Sequence, residues 1–206
     1  MSGDYYDEHA SEFSATRDNL RWEILHNVQK LIDEETRLLD IGCGSGRLLA
    51  HINLEPDQYV GIDASQQMIE QAQKRWPAYT FKTMDMRKME FPESSYSVVC
   101  LIASLHHLQA DEHTAVLENI FKILQPGGCV YMTNWDLYRE PPYDKVVVQK
   151  NAEHVDWIIP KGENRRFYYG FTVEEINDLL ERVGFLVKQG ELSHDNLIHL
   201  AQKPFK

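Results

Sequence analysis

Residues 38–46 run Leu38-Leu39-Asp40-Ile41-Gly42-Cys43-Gly44-Ser45-Gly46. An apolar run carrying an acid turns through three alternating glycines toward a helix. Backbone without Cβ atoms can approach a ligand closely. The N-terminus of the next helix would offer N–H groups to a carboxylate or phosphate. Two phosphate-binding patterns fail on spacing. A dinucleotide fingerprint needs glycine where Arg47 stands, and a P-loop needs Gly-Lys-Ser/Thr after the loop.

Working outward, Tyr59-Val60-Gly61-Ile62-Asp63 is a second apolar strand ending in an acid. In an α/β sheet, ligands bind at the carboxyl ends of the strands. Asp63, as a carboxylate with several acceptor sites, suits a ribose diol. Ser65-Gln66-Gln67-Met68 opens the next helix, and Phe81-Lys82-Thr83-Met84-Asp85-Met86 ends a third strand in another acid. A fourth strand, 96–102, leads into Ala103-Ser104-Leu105-His106-His107-Leu108. Leu124-Gln125-Pro126-Gly127-Gly128 stops a helix before a fifth strand.

The loop D-x-G-x-G-x-G and these motifs, in this order, resemble the S-adenosylmethionine-dependent methyltransferases of the Rossmann-like class. The resemblance implies S-adenosylmethionine as cofactor. It places Asp40, Gly42, Gly44 and Gly46 at the amino-acid end of that molecule. It puts Asp63 and Ala64 by the ribose, Met68, Asp85 and Met86 by the adenine, and Ala103 at the end of the fourth strand. Tyr5 and Arg17 are its candidates for the cofactor carboxylate.

The chain has 206 residues, 43% apolar and 26% charged, with a net charge of −11. That is one soluble globular domain with enough chain for a full core. No apolar run reaches membrane-spanning length, and the acidic N-terminus is unlike a signal peptide. Cys43, Cys100 and Cys129 show no metal spacing, so no metal site is expected. A cytoplasmic, reducing compartment is the simplest setting. The acidity argues against a broad nucleic-acid-binding face.

Leu20, Ile24, Val28 and Ile32 predict an amphipathic helix over 20–32. Strands are expected at 37–41, 59–62, 79–83, 98–102 and 130–133, and helices at 46–53, 66–75 and 111–124. Thr172-x-x-Glu175 is a capping box, and Gly184 caps the helix it opens. Strands 185–190 and 197–202 have too little chain between them for a crossover, so they pair antiparallel. The expected fold is α/β: a seven-stranded, mostly parallel Rossmann-like sheet, helices on both faces, and a C-terminal antiparallel hairpin. Within the single domain, 1–36 covers the site and 37–134 holds the cofactor. Residues 135–170, rich in Trp and Tyr, are expected to form a long irregular segment that serves as a substrate lid, the alternative being a structural insertion with no substrate role. Residues 171–206 are the last helix and hairpin.

Three further clusters bear on the acceptor. They are Phe13-Ser14-Ala15-Thr16-Arg17 with Trp22; Ala103 to His107; and a tail of Trp157 to Lys161, Arg166-Phe167-Tyr168-Tyr169-Gly170-Phe171, and His194-Asp195-Asn196. Together they resemble the tRNA wobble-uridine methyltransferases, which esterify the carboxylate of 5-carboxymethyluridine. Tyr169 stands where that family typically has histidine, Leu197 where it has an aromatic, and the basic insertion of eukaryotic members is absent. The resemblance brings tRNA and a small zinc-binding activator subunit as partners.

The chemistry leaves alternatives. A carboxylate acceptor needs no base, only a cation to hold it; Arg17 and Arg166 are the candidates, with Tyr168 beside them. A phenol, amine or carbon acid would need a base, and His106 or His107 would serve. The runner-up is therefore a small-molecule O-, N- or C-methyltransferase. A third reading is a cofactor-binding partner protein without catalysis. Arg166 in a surface ion pair, a packed histidine, and Asp195 and Asn196 as turn residues are the structural readings of the same positions.

Overall fold

The computed structural model describes residues 23–139, 147–150, 154–161 and 164–206. Tyr5, Arg17 and Trp22 lie outside the described residues.

Leu38–Ile41 (β1) is buried at every position, as a strand between two others in a parallel sheet must be. It pairs in parallel with Tyr59–Asp63 (β2) and with Tyr96–Ile102 (β4). Thr80–Thr83 (β3) flanks β2, and Leu124–Trp135 (β5) flanks β4. Asn196–Gln202 (β10) then runs antiparallel to β5, and Leu186–Ser193 (β9) antiparallel to β10. The order is β3-β2-β1-β4-β5-β10-β9, a seven-stranded sheet closed by the expected C-terminal hairpin.

Helices cover both faces. Ala110–Ile123 (α3) and Val173–Val183 (α4) bury Val116, Leu117 and Ile120, and Ile176, Leu179 and Leu180, on one face. His26–Gln29 (α1) and Gln66–Arg75 (α2) supply Val28, Ile69 and Ala72 to the other. The Thr172 side chain accepts from Glu175 N, and Gly184 ends α4 at φ +109°. A glycine there avoids the left-handed penalty.

Several elements differ from expectation. The helix expected at 46–53 is only a 3-10 turn, Arg47–Ala50, entered through Gly46 at φ +73°. Within the described part of 20–32, a 3-10 turn, Glu23–Leu25, precedes the four-residue α1. β5 is much longer than 130–133, because Gln125–Gly128 bulge out: Tyr96 pairs with Leu124 and Val98 with Cys129.

The described parts of 135–170 are not irregular. Val147–Lys150 (β6), Val155–Lys161 (β7) and Asn164–Tyr169 (β8) form a three-stranded antiparallel sheet. Burial alternates along it: Val155, Trp157, Arg166 and Tyr168 are buried, while Asp156, Ile158, Phe167 and Tyr169 are only partly so. Ile158, Phe167 and Tyr169 are themselves apolar or aromatic, so hydropathy shows no period of two there. Gly170 follows β8 where a side chain would strike the Val155 carbonyl.

Candidate functional site

The carboxyl ends of β1 and β2 and the segment after β4 meet at the glycine loop, and the end of β5 is tied to that segment. Gly42, Gly44 and Gly46 have φ of +72°, +55° and +73°, a region that costs L side chains free energy. Ile62 O accepts from both Gly42 N and Cys43 N, which holds the loop to β2. A Cβ on Gly42 would lie 2.5 Å from Ser104 Cβ. Ser104 itself donates to Ile41 O at 2.9 Å, tying the loop after β4 to the end of β1.

Asp63, the last residue of β2, is tied to this loop. Its Oδ2 accepts from Gly44 N and its Oδ1 from Ser65 N, each at 2.9 Å. A carboxylate accepts up to about four hydrogen bonds, so its acceptor capacity extends beyond these two. Ala64 beside it is exposed. Met68 is 2% exposed, with Cε 3.1 Å from where a Gly44 Cβ would be. Ala103 takes φ +54°, unusual for a residue with a Cβ, and donates to Thr133 O and Oγ1. Strained backbone of this kind clusters at functional sites.

Asp40 is placed differently from the expectation that it cradles the ligand directly. It is 1% exposed and accepts at 2.8 Å from the Tyr59 hydroxyl, beneath the loop. Burial pushes its pKa up to about 7, against the lowering influence of Tyr59 and Arg47. Asp85 is half engaged elsewhere. Arg87 donates to both its oxygens and also binds Glu112, and these bonds hold Asp85 below the usual carboxylate range. Met86 is partly buried, with Cε 3.8 Å from the Gly42 Cβ position.

Beyond Ala103, an aromatic cluster joins the short sheet to the main one. Tyr168 is 1% exposed and stacks on Trp135 at 5.1 Å and 15°. His106 and His107 pack against the same ring at 5.2 and 4.6 Å. The Arg166 guanidinium lies 5.1 Å over Tyr168, and Arg166 is only 7% exposed, so it is no surface ion pair. Tyr169 leaves the opposite face of β8 and donates to Glu175 at 2.5 Å. Asp195 pairs with Arg139, and its carbonyl accepts from Asp136 N, which fixes the hairpin tip beside the end of β5.

The two histidines are in different tautomers. His106 is fully buried, and its Nδ1 accepts from Trp135 N at 3.3 Å, so its proton is on Nε2. His107 Nδ1 lies 3.1 Å from Phe167 O, which can only accept; that nitrogen carries the proton and Nε2 the lone pair. Sequence reasoning could not separate these roles, because Trp135 and Phe167 are distant along the chain. It also passed over Asn134, fully buried at the end of β5.

A family model described as a methyltransferase domain matches residues 38–128. The chain is 31% identical over 160 residues to a dTDP-3-amino-3,4,6-trideoxy-alpha-D-glucopyranose N,N-dimethyltransferase of Streptomyces venezuelae, covering 74% of this chain and 68% of that protein. It is 27% identical over 165 residues to a tRNA (carboxymethyluridine(34)-5-O)-methyltransferase of Saccharomyces cerevisiae, covering 78% of this chain and 57% of that protein. An S-adenosylmethionine-bound amino pentose methyltransferase of Micromonospora echinaspora has the same fold, with a TM-score of 0.68 at 17% identity over 94% of this chain and 96% of that one.

Proposed function

The chain belongs to the S-adenosylmethionine-dependent methyltransferases, and we propose that its acceptor is a carboxylate, that of 5-carboxymethyluridine at the tRNA wobble position. Arg166 carries this reading. A guanidinium buried over the Tyr168 ring is held in one place, and the planar fork of arginine matches a planar carboxylate. The likeness to the yeast wobble-uridine enzyme supports it, although the chain spans only 57% of that protein. Arg17 is a second candidate cation, for the acceptor or for the cofactor carboxylate, and Tyr5 shares the latter role.

The glycine loop fits the cofactor. Its three glycines take left-handed φ, and a Cβ on Gly42 or Gly46 would strike Ser104 or Trp76, so this tight turn of bare backbone needs glycine, and Asp63 beside it would present a carboxylate to a diol. When bound, S-adenosylmethionine supplies a methyl group already attached to its leaving group. The protein's share is then orientation and exclusion of water. Gly42, Gly44 and Gly46 would hold the amino-acid end, with Asp40 acting on the loop from beneath. Asp63 and Ala64 would hold the ribose, Met68, Asp85 and Met86 the adenine, and Ala103 the methionine end. Arg166 would hold the acceptor carboxylate, with Tyr168 and Trp135 closing the site. A carboxylate is ionised at neutral pH, so no residue has to remove a proton. This reading invokes no zinc-binding activator subunit. None of the helices among the described residues is long and apolar enough to cross a membrane.

A second reading rests on His107. Its Nδ1–H bond to Phe167 O orients Nε2 as a base, which would suit an amine or hydroxyl on a small molecule. The amino-sugar methyltransferase of Streptomyces venezuelae, at 31% identity, is of that kind by its name.

Methyl-labelled S-adenosylmethionine separates the two. Purified protein is offered tRNA bearing 5-carboxymethyluridine and, separately, a small-molecule extract. Label that mild base releases from tRNA as methanol is expected. Label only in small molecules, or base-stable label in RNA, overturns the carboxylate assignment.

A further inference from the structure

β8 is held on both of its faces. On one, Tyr168 packs on His106 and His107 of the turn Leu105–His107, and His107 Nδ1 meets Phe167 O at 3.1 Å. Tyr169, the next residue, stands on the other face, opposite Asp156 of β7. Its hydroxyl donates to Glu175 Oε1 at 2.5 Å. Glu175 lies in the first turn of α4, a helix packed on the main sheet. The bond therefore ties the short sheet to the body of the domain from the side away from Arg166 and Tyr168.

The Tyr169 ring is enclosed as well. His154 lies 4.0 Å from it, with Nε2 2.6 Å from Asp156 Oδ1, and that oxygen also accepts from Gly170 N at 3.4 Å. His113 of α3 and Phe171 each pack on the ring at 4.7 Å. His113 Nε2 lies in turn 3.2 Å from the carbonyl of Leu108, which ends the His106-His107 turn. One turn is thus reached by Tyr168 from one face of β8 and, through His113, by Tyr169 from the other. Apolar packing has no direction of its own, whereas a hydroxyl bonded to a carboxylate fixes both partners in place. Burial and Glu175 push the pKa of the Tyr169 hydroxyl up, which keeps it a donor. The glycine loop is held by other groups, Ile62 O and Ser104.

We propose that Tyr169 and Glu175 are positioning residues for the acceptor: their bond seats β8 on α4 and so sets where Arg166 and Tyr168 stand against the turn after β4. Arg166 is two residues before Tyr168 on the same face, with its guanidinium 5.1 Å over that ring. Residues 166–169 are one stretch of paired strand, so a shift at Tyr169 is carried to Arg166. Misplacing a holding group by about 1 Å can cost roughly a hundredfold, even when the change lies far from the chemistry. The inference rests on the reading of Arg166 as the cation that holds the acceptor, and adds what holds Arg166.

The test measures methyl transfer to an oligonucleotide carrying 5-carboxymethyluridine, with S-adenosylhomocysteine binding by calorimetry alongside. Tyr169→Phe keeps the ring and loses the bond. It should raise the acceptor KM by about tenfold, with kcat and S-adenosylhomocysteine affinity within about twofold of wild type. Glu175→Gln keeps an oxygen that can accept from Tyr169 and should hold KM within about threefold of wild type. Arg166→Lys should raise KM by itself, and adding Tyr169→Phe to it should cost little more, because both changes act through one guanidinium. If Arg166→Lys raises KM and Tyr169→Phe does not, this inference fails alone. It fails equally if Glu175→Gln is as impaired as Tyr169→Phe, if the two effects multiply in the double variant, or if S-adenosylhomocysteine binding weakens in step with KM. None of these is the mark of a bond that acts through Arg166. If Arg166→Lys leaves KM unchanged, or wild type accepts no carboxymethyl pyrimidine, the carboxylate reading itself falls, and this inference with it.

Discussion

Trp135 donates its backbone N–H to Nδ1 of His106, 29 residues away, across 3.3 Å. The bond occupies the lone pair that a general base would use. It also joins the end of β5 to the turn after β4, beneath Tyr168. His106 is thus a positioning residue. In His106→Asn the side-chain oxygen can still accept from Trp135. Its activity should fall by less than about tenfold, against the roughly 10²–10⁴-fold that loss of a base costs. His106→Ala removes this bond from the part-buried Trp135 N–H and should cost about 0.5–1.5 kcal/mol in urea unfolding, before any cavity is counted. A pH–rate profile that loses its acidic limb in His106→Asn would contradict this.

His107 is the histidine whose protonation can report on the reaction. With a carboxylate acceptor, kcat/KM between about pH 6 and 8 should show no dependence that His107→Gln removes, because neither nucleophile nor cation titrates there and any effect of Asp40 beneath the loop is common to both proteins. If His107 Nε2 removes a proton, kcat/KM falls toward acid with unit slope near its pKa. The profile is measured with the acceptor the labelling experiment identifies, and with a carboxylate acceptor His107→Gln should leave its shape unchanged.

Gly42 tests the cradle. Alanine there needs φ +72° and sets its Cβ 2.5 Å from Ser104 Cβ, which is itself anchored to Ile41 O. The left-handed backbone alone costs about 1–2 kcal/mol. The clash adds to that and moves the loop after β4. S-adenosylhomocysteine binding by calorimetry should weaken by about tenfold or more, because 1.4 kcal/mol is a factor of ten. Gly44→Ala meets only Met68 Cε, the end of a flexible chain, at 3.1 Å, so it should weaken binding less.

The glycine loop was legible because its function forces a local pattern: three left-handed turns need three glycines, whatever lies around them. The helix over 66–75 and the Thr172 cap were legible for the same reason, being settled by neighbours in the chain. The sheet of β6, β7 and β8 was not. Both of its faces carry large apolar residues, so Trp157 and Tyr168 are told from Ile158 and Phe167 only by what they pack against. The length of β5 was hidden by Pro126-Gly127-Gly128, which ordinarily ends an element but here forms a bulge. Asp40 was correctly singled out as an acid of the loop, but only the partner hydroxyl of Tyr59 shows that it works from below. Tautomers of the histidine pair depend on backbone groups from β5 and β8 and have no local signature.

Stability should depend on pH through two buried groups with opposite signs. The Asp40 pKa is raised from 3.8 to about 7 by burial. The folded state then holds a proton that the unfolded state has released. Stability from Asp40 is present at low pH and lost as pH rises from about 4 to 7, by roughly 4 kcal/mol at most. His113 is lowered from 6.5 to about 4 by burial, so its contribution is lost as pH falls through the same interval. The two partly cancel in wild type. Asp40→Asn keeps an acceptor for Tyr59 and removes the first effect. Its stability relative to wild type should rise with pH between about 4 and 7 and then level off, as measured by urea unfolding. A difference that stays constant with pH would show that Asp40 titrates normally.

Asp63 distinguishes loop architecture from ligand recognition. Its oxygens accept from Gly44 N and Ser65 N, so the side chain shapes the loop. Asp63→Asn presents one N–H donor to a backbone N–H, so one of the two bonds is lost and the loop is disturbed. Asp63→Ala loses both. Loss of a hydrogen bond to a charged group costs about 1.5–3 kcal/mol. If Asp63 only shaped the loop, S-adenosylhomocysteine and its 2′,3′-dideoxy analogue would lose affinity equally in Asp63→Asn. If it also binds the diol, wild type prefers the natural ligand strongly, and the variant loses most of that preference. The second outcome is expected, since Asp63 ends β2 at the carboxyl edge of the sheet, where ligands of such sheets bind. Equal losses for both ligands, measured by calorimetry, would return Asp63 to a purely structural role.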